Sequence, residues 1–283
     1  QRKNKISGSD VKFENFSVGT LKHNNKDYRI KLRVKGDRAL HWYNKDQTSY
    51  KIDIRGSDRI WGMEEFSVQK PIARNYVYEI IFHKLLNINE LISLKYFFIN
   101  LSINDIKHGI YAVEEGFSKE LIERNKRRSG PIFGQEENIS TDYPYIQYDL
   151  YSKKYWIDNH PELTSNAIAK LNRLKQGKID INKIFDLKKW ATYFAIIDLT
   201  STLHGSTSKS VKLFYNPVIS KFEPIGFDAH YKPGFFENFL ILDFLDPEND
   251  NCIYICVEKQ WYLNFLRERD GNLNSEFIEL YIE

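Results

Sequence analysis

The chain has 283 residues, 42% of them hydrophobic and 28% charged, with a formal net charge of +3. That is the balance of a folded globular chain and excludes wholesale disorder; so small a charge excess is not the basic footprint of a nucleic-acid binder. No apolar run reaches the roughly 18–20 residues of a membrane span, because Glu237, Asn238 and Asp243 interrupt the stretch 235–244. The N-terminus, Gln-Arg-Lys-Asn-Lys, leads into no apolar signal-peptide core, and cell-envelope and cytoplasmic locations both stay open. Cys252 and Cys256 are too few to staple the chain or complete a zinc site, and read as small buried residues.

In chain order, the first half reads as strands. Tyr28, Ile30, Leu32 and Val34 alternate with Arg29, Lys31, Arg33 and Lys35; residues 49–55 repeat the pattern, with Tyr50, Ile52 and Ile54 against Lys51, Asp53 and Arg55. Period two is the mark of a half-buried strand. A helix over about 73–86 follows Pro71, with Val77, Ile81 and Leu85 as its buried stripe. Residues 95–101 and 109–115 form a hairpin around the segment 104–109. A short helix from Ser118 ends in the basic run Arg124-Asn125-Lys126-Arg127-Arg128, expected as a solvated face.

The polar, Tyr-rich stretch 135–158 reads as a linker, so that a strand-rich lobe covers 1–135 and a mostly helical one 136–283. In the second lobe Ile168, Leu171 and Leu174 mark a helix closed by Gly177. Leu187, Trp190, Phe194 and Ile197 mark a longer one capped by Asp186. It runs out at Thr202-Leu203-His204-Gly205, and a hairpin with strands 211–215 and 221–227 then delivers Asp228. The apolar-periodic ending, 278–283, carries no stop signal, so the second lobe is expected to be incomplete.

Helix, polar loop, hairpin and an Asp after the second strand is the order with which protein-kinase-like lobes place an acceptor and a metal. Such an order suits phosphoryl transfer, which depends on positioning and charge neutralisation. A P-loop of the form GxxxxGK[ST] is absent, as are the His-Arg-Asp, Asp-Phe-Gly and Gly-rich motifs of protein kinases. Two imidazoles, His204 and His230, together with Asp228 also leave open a His/Asp metal-dependent hydrolase or oxygenase.

Over roughly residues 31–232 the chain resembles the CotH-type atypical kinases, the spore-coat protein kinase family. The segments that carry the resemblance are Ser49-Tyr50-Lys51-Ile52-Asp53-Ile54, Ala73-Arg74-Asn75-Tyr76-Val77-Tyr78-Glu79, the hairpin from Asn104 and Gly109 through Tyr111 to Glu115, and the region from His204-Gly205 through Lys212-Leu213-Phe214-Tyr215-Asn216-Pro217 to Phe227-Asp228. The sequence departs from the family pattern at several places. Asp105 stands where a Gly is usual, His204 where an Asp precedes the loop Gly, Ser210 where an Asn precedes the hairpin, and Phe227-Asp228-Ala229-His230 where Trp-Asp-x-Asp is usual.

The resemblance implies an α+β, protein-kinase-like two-lobed fold that binds ATP with Mg²⁺, or Mn²⁺ in its place. It implies transfer of the γ-phosphate to a protein Ser/Thr or an envelope glycan acceptor. Lys51, Arg74, Glu79 and Glu115 would hold the nucleotide, with Lys51 paired to Glu79 and facing Asp228 across the cleft. Asp228 and Ser210 would hold the metal, and His204 would act with Asp228 in catalysis. Loss of the loop Asp leaves a second expectation, a pseudokinase or nucleotide-binding module without transfer.

Overall fold

The computed structural model describes residues 3–5, 11–13, 15–36, 39–42, 48–135, 148–207, 210–229, 239–246 and 256–283. The architecture is α+β. The chain divides into two compact units, residues 1–83 with 94–121, and residues 84–93 with 122–283. Cys252 and His230 lie outside the described residues, and no helix among those described is long and apolar enough to cross a membrane.

In the first unit, β1 (Lys3–Lys5) and β2 (Val11–Phe13) form a separate antiparallel pair. The main sheet has six strands: β3 (Ser17–His23), β4 (Lys26–Val34), β5 (Tyr50–Ile54), β6 (Glu65–Gln69), β7 (Tyr96–Ile103) and β8 (Ile106–Glu115). Their order is β3-β4-β5-β6-β8-β7, and every pairing is antiparallel. The alternation read in β4 and β5 buries Ile30, Ile52 and Ile54 against Phe66 and Val68 of β6 and Tyr111 and Val113 of β8.

The β7–β8 hairpin is tighter than the sequence suggests. Its turn is Asn104-Asp105, with φ of 49° and 64°, the left-handed pair whose twist matches the flanking strands and which Asn and Asp tolerate. The ladder instead shifts between Leu101 and Ser102, opposite Gly109 at φ 82°, so the irregularity sits inside the strands as a bulge.

The helix expected over 73–86 starts later. Residues Pro71–Arg74 form a 3₁₀ turn that ends on Asn75, and Asn75 and Tyr76 are left-handed, so the α-helix α1 is Tyr78–Ile88. Its stripe is also different. Val77 and Ile81 are exposed, and the buried face is Glu79, Phe82, His83 and Leu86. Periodicity located an amphipathic helix but chose the wrong side, because two of the four buried positions are polar.

The second unit holds a four-stranded sheet in the order β10-β9-β11-β12. It is made of β9 (Ile132–Gln135), β10 (Tyr148–Leu150), β11 (Lys212–Asn216) and β12 (Lys221–Ile225). The stretch 135–158 is thus not simply a linker: it contributes β10 and the helix α3 (Lys153–Asn159). Pro224 is tolerated because β12 is an edge strand. Helix α4 (Pro161–Lys175) closes as expected on Gly177, at φ 62°, with Gly177 N–H donating to Leu174 and Lys178 N–H to Arg173, a Schellman ending. Helix α5 (Leu187–Leu199) is capped by Asp186, which accepts from Lys189 N–H.

Helices α6 (Cys256–Leu266) and α7 (Ser275–Ile282) complete an aromatic core around α5. Trp190, Phe194, Trp261, Phe265 and Phe277 meet there with ring centroids 4.9–6.0 Å apart, distances at which offset and edge contacts add to simple burial.

The basic run belongs to α2 (Lys119–Arg124) and the turn after it, and is the expected solvated face only at Lys126 and Arg128, which are exposed. Arg124 donates to the Ser93 carbonyl, and Arg127 donates to Glu223, 3.1 Å away. Glu223 is 1% exposed and also accepts from Lys189 at 2.7 Å and Asn216 at 2.6 Å. Burial by itself would raise this carboxyl; the Lys189 and Asn216 hydrogen bonds and the Arg127 charge hold it below the usual carboxylate range.

Candidate functional site

In the second unit, α5 ends at Leu199, and the following 3₁₀ turn Leu203–Ser206 carries His204. That turn is fastened to the aromatic core at three points. Tyr193 hydroxyl donates to the Gly205 carbonyl at 2.7 Å, Trp261 Nε1 donates to the Ser206 carbonyl at 3.0 Å, and the Ser206 and Tyr262 hydroxyls meet at 2.8 Å. Rigid helices therefore hold an otherwise irregular loop. From the other direction, β12 carries the chain to Phe227-Asp228-Ala229.

Three residues singled out from the sequence come together at this point. His204 Nδ1 lies 2.9 Å from the Asp228 carbonyl oxygen, 3.2 Å from Ser210 Oγ and 3.9 Å from Asp228 Oδ2. A carbonyl oxygen only accepts, so Nδ1 carries the proton and Nε2 is the basic nitrogen of the ring. Asp228 has φ 60°, a left-handed conformation that Asp tolerates better than most residues with a Cβ and that recurs at functional positions. Gly205 allows the close approach: a Cβ there would lie 2.8 Å from the Ala229 Cβ and 2.9 Å from its Cα. Beside them the Lys212 ammonium lies 5.2 Å from the Phe227 ring centroid, within cation–π range.

Among the described residues no three His, Cys, Asp or Glu side chains gather as a metal-binding group. Asp228 and Ser210 offer one carboxylate and one hydroxyl. Such an oxygen set suits Mg²⁺ that takes its remaining ligands from phosphate and water, and does not suit an ion that needs a full protein cage.

In the first unit the four expected nucleotide residues take separate places. Lys51 pairs with Glu65 at 2.7 Å and not with Glu79: the two strands that carry them are paired neighbours, so Glu65 reaches it first. Glu79 is fully buried, 3.3 Å from His83 Nε2 one turn further along α1. Neither of its oxygens has a partner of hydrogen-bond geometry among the described residues. Arg74 Nε lies 3.4 Å from Glu114 Oε2, and Glu115 accepts from Lys95 N–H at 2.7 Å, closing the β7–β8 pair.

Sequence reading missed the hub of this polar cluster. Glu114, 2% exposed as a side chain, is bonded to Lys35 and Gln69 as well as facing Arg74. Tyr96 lies in the same environment; burial pushes its hydroxyl pKa up, and the charges of Glu114 and Glu79 push it further. Lys70 follows β6 and stands at the N-cap position of the turn before α1, without a side-chain capping hydrogen bond. The detectable signal was the alternation Glu65-Phe66-Ser67-Val68-Gln69 running into Lys70 and Pro71, a strand directly before a helix.

A further carboxylate stands out in the second unit. Asp198, in the last turn of α5, accepts through Oδ2 from Ile241 N–H at 3.0 Å and from the Tyr281 hydroxyl. Oδ1 is buried with no hydrogen-bond partner among the described residues. Burial lifts this carboxyl to about 6, against the two hydrogen bonds and with help from the neighbouring Asp243 charge.

Compared with known proteins, the chain matches no family model and no curated protein. The likeness to CotH-type kinases rests on the motifs themselves.

Proposed function

We propose that the protein is a CotH-like phosphotransferase of kinase-like fold that uses ATP with Mg²⁺, Mn²⁺ being able to replace it. Its acceptor would be a protein Ser/Thr hydroxyl or an envelope-associated glycan. The observation that carries this reading is the convergence of His204, Ser210 and Asp228, three positions that the family pattern ties to phosphoryl transfer.

The chemistry follows from that arrangement. An acceptor oxygen attacks the γ-phosphorus, the bond from that phosphorus to the bridging oxygen breaks, and ADP leaves with the electron pair. The acceptor proton passes to His204 Nε2, which the Nδ1–H bond to the Asp228 carbonyl keeps basic and oriented. Asp228 and Ser210 would hold the metal, which supplies charge neutralisation at the phosphates.

The test is transfer of radiolabelled phosphate from ATP to the protein itself and to a lysate, with Mg²⁺ or Mn²⁺. Asp228→Asn should abolish transfer with the fold retained, since the amide keeps the shape and removes the charge. His204→Ala should slow it by about 10²–10⁴-fold. Metal-dependent nucleotide binding by calorimetry without any transfer would favour a binding module, and no binding at millimolar nucleotide would end the proposal.

A further inference from the structure

A cavity of about 710 Å³ lies wholly within the second unit, and none of His204, Ser210 and Asp228 lines it. That is the size of a pocket for a small ligand or a few peptide residues. One wall is the chain that leaves α4. Gly177 closes the helix at φ 62°, and the chain is extended at Asp180, with φ −72° and ψ 146°, before the 3₁₀ turn Ile181–Lys183. The other wall is the end of α6 and the tight turn after it, where Gly271 N–H donates to the Glu268 carbonyl at 3.0 Å and Glu268 N–H to the Asn272 carbonyl at 2.8 Å. Hydrogen bonds hold both walls, so a ligand meets a pre-formed site.

The lining combines aliphatic side chains with neutral amides. Leu174, Ile179, Ile181 and Leu263 are the apolar part. Gln260 and Asn264, one turn apart on α6, are joined by Gln260 Nε2 donating to Asn264 Oδ1 at 3.0 Å. That bond leaves a carbonyl oxygen on Gln260 and an NH₂ group on Asn264 for another partner. No aromatic ring lines the cavity, because Trp261 and Phe265 of α6 are buried in the core. Stacking of the kind that holds nucleic-acid bases is therefore missing.

Ile179 points to the kind of ligand. It is 8% exposed, yet its main-chain N–H and C=O make no hydrogen bond among the described residues. Main-chain groups at a buried residue are almost always paired, and a donor and acceptor left open beside an extended segment are half of a strand pairing. The charges at the rim are unequally matched. Asp180 pairs with Lys183 at 3.1 Å, Asp270 accepts from Asn272 within its own turn, and Arg267 donates to the Gly271 carbonyl at 2.8 Å. The Glu268 carboxylate has no partner among the described residues.

We infer that this cavity is a docking site for an extended peptide segment of a partner protein. The segment pairs main chain to main chain with Ile179, sets an aliphatic side chain against Leu174 and Leu263, and places a lysine or arginine beside Glu268. The inference stands apart from the reading at His204 and needs no nucleotide.

The experiment is fluorescence anisotropy with the full chain and four labelled octapeptides. The first alternates leucine and lysine, which an extended chain sends to opposite faces. The second alternates leucine and glutamate, the third serine and lysine, and the fourth is the first with its main-chain nitrogens methylated. The leucine–lysine peptide should bind with a Kd below about 1 mM, and each of the others at least about tenfold more weakly. Glu268 is exposed, so Glu268→Lys should melt as wild type does while reversing the preference between the lysine and glutamate peptides. No binding of the leucine–lysine peptide, equal binding of its methylated form, or an unchanged preference in Glu268→Lys would overturn the inference. Displacement of the peptide by maltoheptaose would overturn it too, making the cavity a glycan site.

Discussion

Replacing Asp198 by asparagine should stabilise the protein at neutral pH and lose that advantage in acid. Asp198 has its pKa raised from the ordinary 3.8 to about 6, so the folded state holds this proton more tightly than the unfolded chain does. Stability from this source is fully present below pH 3.8 and is lost as pH rises through 6. The difference between the two values makes the ionised form cost about 3 kcal/mol at about pH 7.5 and only about 1 kcal/mol at about pH 4.5.

The asparagine amide can still accept from Ile241 N–H and the Tyr281 hydroxyl through its one oxygen, and puts an NH₂ group where the unpartnered Oδ1 stands. That NH₂ group, buried where Oδ1 finds no partner among the described residues, costs about 1 kcal/mol at either pH. The net gain is therefore about 2 kcal/mol at the higher pH and near zero at the lower one. Urea unfolding followed by tryptophan fluorescence measures it, since Trp190 and Trp261 are buried in the same unit. A stability difference between Asp198→Asn and wild type that is the same at both pH values, or a loss of stability at the higher one, would refute the reasoning.

Glu223→Ala should cost about 2–3 kcal/mol in the same assay, because the partly buried Arg127 and Lys189 would lose the carboxylate that they share; a change under about 1 kcal/mol would mean the network is incidental. Gly205→Ala should cost about 1–3 kcal/mol, the range of overpacking, and lower transfer by more than its stability loss explains. Its methyl drives the His204 turn off Ala229, so pairing it with Ala229→Gly should recover part of both; no recovery would place the clash elsewhere.

Much of the local structure was legible. The alternation of apolar and charged residues in 28–34 and 50–54 is enough to make β4 and β5, since a strand exposes successive side chains to opposite faces whatever its neighbours are. Asp186 and Gly177 bound their helices by satisfying backbone groups within a few residues, so they too are readable without the fold. The motif order also brought out His204, Ser210 and Asp228 as candidates.

Tertiary structure decided the rest. Which face of α1 is buried depended on partners far along the chain, and those partners bury Glu79 and His83 where hydrophobic periodicity predicts Val77 and Ile81. Lys51 found Glu65 because β5 and β6 are neighbours in the sheet, a pairing set by β6, which the sequence reading passed over. Arg127 looked like a solvated cation until Glu223, 96 residues away, was brought to it. Burial of a charge is decided by long-range partners that replace its water, and neither the charge itself nor its nearest neighbours in sequence reveal whether such partners exist.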